Sequence, residues 1–292
     1  MVALSSGFII MYALINMYHK LCLQIPKTED EWLQVAEAFE RTWQFPHCIG
    51  AIDGKHVEIK KPIGSGSYYY NYKHTFSIVL MAVVNANYEF LMVDVGANGR
   101  VSDGGVFGNT TFGKKLKEKS LRVPEPNIIS GCTEAMPYVF VADDAFPSLE
   151  NLMKPFAQKN MTKSQAIYNY RLSRARWIVE NVFGIMSARF RVLLSTINVC
   201  PAKASTIVMA CCYLHNYLRK RNVQAYIEGG LDMEDEDRQV IEGNWRSDNQ
   251  PLPLAPCVTP NVTSSAKNVR GAFCNYFNNK GSVPWQESRI DI

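Results

Sequence analysis

The 292-residue chain lacks the motifs that mark several large enzyme classes. It contains no phosphate-binding P-loop, no glycine-rich dinucleotide fingerprint and no Ser-His-Asp spacing of a serine hydrolase. Its eight cysteines include no pair at the CxxC spacing that is typical of zinc sites. We therefore interpret the cysteines as buried free thiols, which suits a protein of a reducing compartment.

Charge is also scarce in this sequence. Charged residues make up 20% of the chain, and the formal net charge is +4. This mildly basic balance is compatible with a nucleic-acid partner, but many enzymes that act on neutral substrates are equally basic. The hydrophobic fraction of 47% is sufficient for one main domain with a sizeable core.

The N-terminal region begins with an apolar run over residues 1–24. The run lacks basic residues at its start and a clear small-residue cleavage site, and Asn16 interrupts it. We expect a helix packed in the core here, in preference to a secretory signal or a membrane span. A second, amphipathic helix is predicted over residues 28–43, with Thr28 as its N-cap.

The middle of the chain is rich in strand patterns. The first three are CIGAIDGKHVEIK, FSIVLMAVVNA and EFLMVDVGA, and their connections are too short for helical crossovers, which predicts an antiparallel meander. A helix predicted from about residue 103 to 119 separates them from a fourth strand, YVFVADD, which a short helix over PSLENLMKPF follows. This order predicts an α/β fold with a mixed sheet.

Two long helical patterns, over residues 163–195 and 201–221, close the predicted domain. Beyond them the apolar periodicity weakens, and acidic and Pro/Asn/Ser-rich stretches predict a tail that is partly disordered. We therefore divide the chain into an N-terminal helical segment over residues 1–45, a main domain over 46–222 and a C-terminal tail over 223–292.

Three acidic residues in apolar surroundings are candidates for chemistry: Asp53 and Asp143 on predicted strands, and Glu180 on a long helix. A buried carboxylate is costly unless it is paired, and three of them around one point would suit Mg²⁺ or Mn²⁺. A pair of such ions is the usual apparatus for cutting phosphodiesters. Simpler alternatives stay open, because an Asp at a strand end often forms a turn and Glu180 could pair with Arg176 one helical turn earlier.

Five motifs occur in one order along the chain: IGAIDGKH, GRVSDGGVF, ADDAFP, RWIVENVFG and LHN at positions 214–216. Together they resemble the PIF/Harbinger transposase family and its domesticated, transposase-derived nucleases over about residues 32–221. The resemblance implies a ribonuclease-H-like α/β fold, in which an antiparallel meander plus parallel strands form a mixed sheet flanked by helices. It also implies that residues 1–45 are a truncated remnant of a DNA-binding region.

The resemblance marks Asp53, Asp143 and Glu180 as the DDE catalytic triad of a metal-dependent DNA endonuclease that uses two Mg²⁺ or Mn²⁺ ions. Asp103 matches a further acidic position that could support the metal site. Asp143 is preferred to its neighbour Asp144 because its spacing to the following Phe-Pro pair matches the family pattern. Alternation along a strand would also send these two side chains to opposite sides.

The implied partner is DNA, with no membrane partner. Domesticated relatives rely on a separate Myb-like protein for DNA binding and nuclear import, so we expect the nucleus, with the cytoplasm as a second compartment, and a homodimer is a further expectation. A catalytically idle DNA- or protein-binding module is the alternative function. Basic clusters near Asp103 and along the Glu180 helix could neutralise phosphates, although a solvated helix face explains them equally well. His56 could contact a phosphate or be a hydrogen-bonded structural residue.

Overall fold

A computed structural model describes residues 23–101, 103–221, 226, 230–235, 238–247, 250–253 and 263–290, with only the backbone described at 103 and 104. The helix predicted over residues 1–24 therefore lies outside the described residues, apart from its last two positions, which are not helical. The helices of the described part are α1 (Glu29–Trp43), α2 (Asp103–Asn109), α3 (Thr111–Lys117), α4 (Lys163–Arg189), α5 (Pro201–Arg221) and α6 (Ser264–Asn278).

A mixed sheet forms the centre of the molecule. Its strands are β1 (Cys48–Glu58), β2 (Ser77–Val84), β3 (Phe90–Asn98), β6 (Val139–Val141), β7 (Leu152–Met153) and β10 (Leu252–Pro253). Two small antiparallel sheets are separate from it. In one, β4 (Asn127–Ile128) pairs with β5 (Ala135–Met136), and in the other, β8 (Met233–Glu234) pairs with β9 (Val240–Ile241).

The order across the sheet is β3–β2–β1–β6–β7. The first three strands run antiparallel, and β6 and β7 run parallel to β1, as the ribonuclease-H-like arrangement requires. β6 pairs only with the first half of β1, and β10 pairs with Lys55 and His56 in the second half. A C-terminal segment therefore joins the central sheet. The predicted meander and the mixed α/β sheet are confirmed.

Alternating side chains divide the core into two layers. One face of the sheet packs against α4, α5 and α6, with Leu80 and Val141 among its buried residues. The other face packs against α2, α3 and the first half of α1, with Met81 and Phe140 among its buried residues, whereas Phe39 and Trp43 of α1 belong to the first layer. This division follows from the two-residue period of a strand, which sends neighbouring side chains to opposite faces. Among the described helices, none combines the length and the apolar composition needed to cross a bilayer.

Two predicted elements differ in the structure. The helix expected over residues 103–119 is interrupted at Thr110, whose hydroxyl accepts a hydrogen bond from the Gly113 amide (2.9 Å) and so caps a new helix, α3. The short helix predicted over PSLENLMKPF is wrong, because Leu152 and Met153 form the parallel strand β7 beside β6. Both side chains are fully buried there, and β7 satisfies the outer edge of β6.

Candidate active site

The register of β1 and β6 brings two of the predicted acidic residues together. Ala51 lies opposite Val141 in this parallel pair, and Asp53 and Asp143 each follow two residues later. The two-residue period therefore turns both carboxylates toward the sheet face that carries Ala51 and Val141, which packs against α4. Asp53 is 4% exposed. Asp143 is partly buried, and its neighbour Asp144 is exposed.

The two carboxylates repel one another. Burial, followed by the negative charge of Asp53, raises the pKa of Asp143 from its ordinary value of 3.8 to about 6. The Arg176 guanidinium and a hydrogen bond from the Ala145 amide (3.0 Å to Oδ1) oppose this effect. A pair of neighbouring acids on adjacent strands, one of them with a raised pKa, is an arrangement that a bound cation would relieve.

Glu180 lies on α4 and faces the same region, but its carboxylate is already paired. Nη1 of Arg176 lies 2.7 Å from Oε1 of Glu180, which is the helical ion pair that the sequence offered as an alternative. Burial alone would lower the pKa of Arg176, yet the charges of Glu180, Asp53 and Asp143 raise it above its usual value. One guanidinium therefore forms an ion pair with Glu180 and also interacts electrostatically with Asp53 and Asp143.

Lys55 is a component of this site that the sequence argument missed. Its Nζ lies 3.3 Å from Oδ2 of Asp53 and 5.7 Å from the ring centroid of Phe183 on α4. The signal was present in the motif IDGKH, because a residue two positions after Asp53 on a strand points to the same face. Lys55 thus neutralises the more deeply buried of the two aspartates.

The donor chemistry of the site fits a divalent cation in part. Asp53 and Asp143 offer adjacent hard oxygens, which Mg²⁺ and Mn²⁺ prefer. Over the described residues, however, no group of three or more His, Cys, Asp or Glu side chains is arranged to hold a metal ion. Glu180 is instead held by Arg176, and the side chain of Asp103, at the first position of α2, lies outside the described part.

The two histidines nearest the sequence motifs have structural partners. Nδ1 of His56 lies 2.8 Å from the Ser77 hydroxyl, and burial lowers the pKa of His56 to about 4, so this ring is neutral at physiological pH. His215, in the LHN motif, is fully buried between Tyr226 and the Tyr88 carbonyl. The next residue, Asn216, exchanges hydrogen bonds with both backbone groups of Phe90 (2.8 Å each), so the motif fastens α5 to β3.

Two arginines of the predicted phosphate-contacting cluster on α4 are buried instead. Arg171 donates to the Gly281 carbonyl (2.8 Å) and to Gln286 (3.0 Å). Arg174 forms a bidentate pair with Glu234, at 2.6 and 2.7 Å. Both side chains therefore fasten C-terminal segments to α4, a role that neither of the two sequence interpretations included.

Comparison with known proteins identifies relatives of one kind. Residues 52–216, more than half of the chain, match the family described as DDE superfamily endonuclease. Protein ALP1-like of Arabidopsis thaliana is 29% identical over 207 residues, which cover 70% of this chain and 48% of the relative. HARBI1 of Xenopus laevis, provisionally named a nuclease, is 24% identical over 222 residues, covering 75% of this chain and 60% of the relative.

A third relative is the Arabidopsis thaliana protein named Antagonist of Like Heterochromatin Protein 1, which is 23% identical over 188 residues. That match covers 63% of this chain and 47% of the relative. The chain thus spans about half the length of the curated relatives it matches. No solved structure matches the chain.

Proposed function

The chain belongs to the DDE superfamily endonucleases, and we propose that it is a metal-dependent DNA endonuclease of transposase origin. In this proposal Asp53, Asp143 and Glu180 form the triad that hydrolyses a phosphodiester bond. The observation that carries it is the juxtaposition of Asp53 on β1 with Asp143, two residues beyond the end of the parallel strand β6, on the sheet face that packs against the helix bearing Glu180. Burying the Asp53 carboxylate costs free energy, which favours a role in chemistry over a role in folding alone.

The proposed chemistry follows from the donors. Two bound Mg²⁺ or Mn²⁺ ions would supply an activated water and stabilise the leaving 3′ oxygen of the cut strand. The carboxylates of Asp53 and Asp143 would bind the metal ions, and the ion pair with Lys55 would keep the Asp53 side chain in place. Glu180 would complete the donor set after separating from Arg176, and Asp103 is a further candidate ligand.

The substrate, partners and compartment belong to the same proposal. DNA is the proposed substrate, in keeping with a family of endonucleases. A Myb-like DNA-binding protein as partner, a homodimer and a nuclear location, with the cytoplasm as a second compartment, are proposals that rest on the Harbinger resemblance.

Nicking of supercoiled plasmid tests the proposed activity. We expect the purified chain to nick plasmid with Mg²⁺ or Mn²⁺ and not with EDTA, and we expect Asp53→Asn, Asp143→Asn and Glu180→Gln each to reduce nicking to background. Asp144→Asn is the matched control, because this neighbouring acid is exposed and should keep full activity. Nicking that persists in the three triad variants would contradict the assignment of the site.

A catalytically idle binding module is the second candidate function. The Arg176–Glu180 pair favours it, since the third acid is already neutralised without a metal. The name of the second Arabidopsis relative also describes antagonism toward another protein and not catalysis. Mg²⁺-dependent thermal stabilisation discriminates between the two functions: the nuclease should be stabilised by Mg²⁺ and Asp143→Asn should not, whereas an idle module should show no stabilisation in either form.

A further inference from the structure

We propose that Arg176 is a built-in counter-ion that competes with the divalent cation for the carboxylates of the candidate site. On this view the guanidinium stabilises the metal-free protein and must release Glu180 before a metal can be fully coordinated. The inference deepens the proposed function and rests on it, because it concerns the same three acids.

The first support is the position of the guanidinium. Arg176 lies one helical turn before Glu180 on α4, and its Nη1 lies 2.7 Å from Oε1 of that residue. Its charge also acts on both strand acids, since Asp53 and Asp143 each raise the pKa of Arg176. The guanidinium is thus paired with Glu180 and interacts electrostatically with Asp53 and Asp143.

The second support is the balance of charge around the site. Asp53 has a second cationic neighbour in Lys55, at 3.3 Å. The Asp143 carboxylate accepts a hydrogen bond from the Ala145 amide (3.0 Å) and is also stabilised by the charge of Arg176. Removing Arg176 would therefore take the 2.7 Å ion pair from Glu180 and a favourable charge from Asp143, and would increase the attraction of the site for a metal ion.

The surrounding space allows the guanidinium to move. Arg176 and Glu180 both line an open cavity of about 420 Å³, whose wall also includes Trp177, Tyr170 and Glu234. A side chain at this rim can exchange one partner for another without repacking the core, because Arg176 and Glu180 keep 22% and 26% of their side-chain surface exposed.

The test is a metal titration of Arg176→Gln beside the parent chain. Isothermal titration calorimetry measures Mg²⁺ binding, and the loss of the electron paramagnetic resonance signal of free Mn²⁺ measures Mn²⁺ binding. We expect the variant to bind metal about fivefold more tightly, which corresponds to an ion pair of about 1 kcal/mol that no longer has to be broken. We also expect the metal-free variant to melt at a lower temperature. A merely structural role for Arg176 would weaken both metal binding and stability, so the opposite signs are diagnostic.

Lys163→Gln is the matched control, because it removes one positive charge from the first turn of the same helix, more than three turns before Arg176. Lys163 is exposed and pairs with Glu287 (2.8 Å). It should leave metal affinity unchanged. If Arg176→Gln does not fold, Arg176→Met supplies the comparison, because it removes the charge and keeps a long side chain. This variant should also bind metal more tightly than the parent.

The outcomes separate this inference from the proposed function. Equal or weaker metal binding by a folded Arg176 variant would overturn the counter-ion role while leaving the metal site in place, provided that Asp143→Asn abolishes binding. Absence of metal binding in both the parent and the variant would overturn the metal site and this inference together.

Discussion

At the scale of single residues, the balance of charge around Asp143 is the feature most open to measurement. The side chain is partly buried beside Asp53, and burial followed by this neighbouring charge raises its pKa to about 6. The folded protein therefore binds a proton at Asp143 at a pH where the unfolded chain has already released it. The contribution of Asp143 to the free energy of unfolding is therefore fully present below its ordinary pKa of 3.8. It is lost as the pH rises through the folded-state pKa of about 6.

Asp143→Asn should consequently stabilise the metal-free protein at neutral pH. We expect the free energy of unfolding to rise by about 1–2 kcal/mol at pH 7.5 in EDTA, with the difference shrinking toward zero near pH 4, where the parent carboxyl is protonated in the folded state. Urea denaturation at the two pH values measures this difference. Asp144→Asn, at the exposed neighbour, should change stability by less than about 0.5 kcal/mol at both; a stabilisation that is independent of pH would contradict the explanation.

At the scale of elements, α4 joins the candidate site to the C-terminal segment. Arg176, Glu180 and Gly184 recur every fourth residue, so they follow one side of the helix. Gly184 admits the indole of Trp245, whose Nε1 donates to Asn181 (3.0 Å). The packing thus explains why the motif RWIVENVFG ends in glycine, because a Cβ at this position would overlap the Trp245 ring.

Gly184→Ala tests this close approach. We expect it to lower the free energy of unfolding by about 1–3 kcal/mol, because the added methyl forces Trp245 out of its place. Gly271→Ala on α6 is the matched control, since open space surrounds that position and alanine favours a helix by up to about 1 kcal/mol. Thermal melts followed by circular dichroism and tryptophan fluorescence measure both variants, and equal effects at the two glycines would refute the explanation.

Much of the element pattern was predictable from local signals. The meander, α1 with its Thr28 cap and the two long helices follow from apolar periodicity and turn residues. The strand β7 was not predictable in this way, because its two residues are extended only through their pairing with β6. The same holds for the site: sequence motifs indicated Asp53, Asp143 and Glu180, whereas the roles of Lys55 and Arg176 depend on which side chains meet across the sheet and α4.

At the scale of the whole molecule, the described C-terminal residues are part of the main core. Phe273 and Phe277 of α6 are fully buried, and both rings pack against Phe45 at centroid distances of 5.5 and 4.8 Å. The bidentate Arg174–Glu234 pair and the strand β10 attach other parts of the same region to α4 and β1. The tail signals in the sequence did not foresee this packing; the domain boundary at residue 223 stays a prediction.

Phe273→Ala tests whether this region contributes to global stability. We expect a loss of about 3–5 kcal/mol in the free energy of unfolding, with one cooperative transition, because the removed ring leaves a cavity in the shared core. Lys267→Ala, at an exposed position of the same helix, should change stability by less than about 0.5 kcal/mol. A small effect of Phe273→Ala, or a separate early transition, would indicate that α6 folds independently of the sheet.

The sequence by itself determined the fold class and the family, because five motifs in one order and the period of apolar residues are local properties of the chain; the predicted Harbinger resemblance is confirmed by the relatives. Only the tertiary structure decided which charges meet. The register of β1 against β6 brings Asp53 beside Asp143, and the packing of α4 sets Arg176 against three acids. Such encounters join residues up to 123 positions apart. No local pattern encodes them, since the interaction energy depends on distance and burial and not on sequence separation.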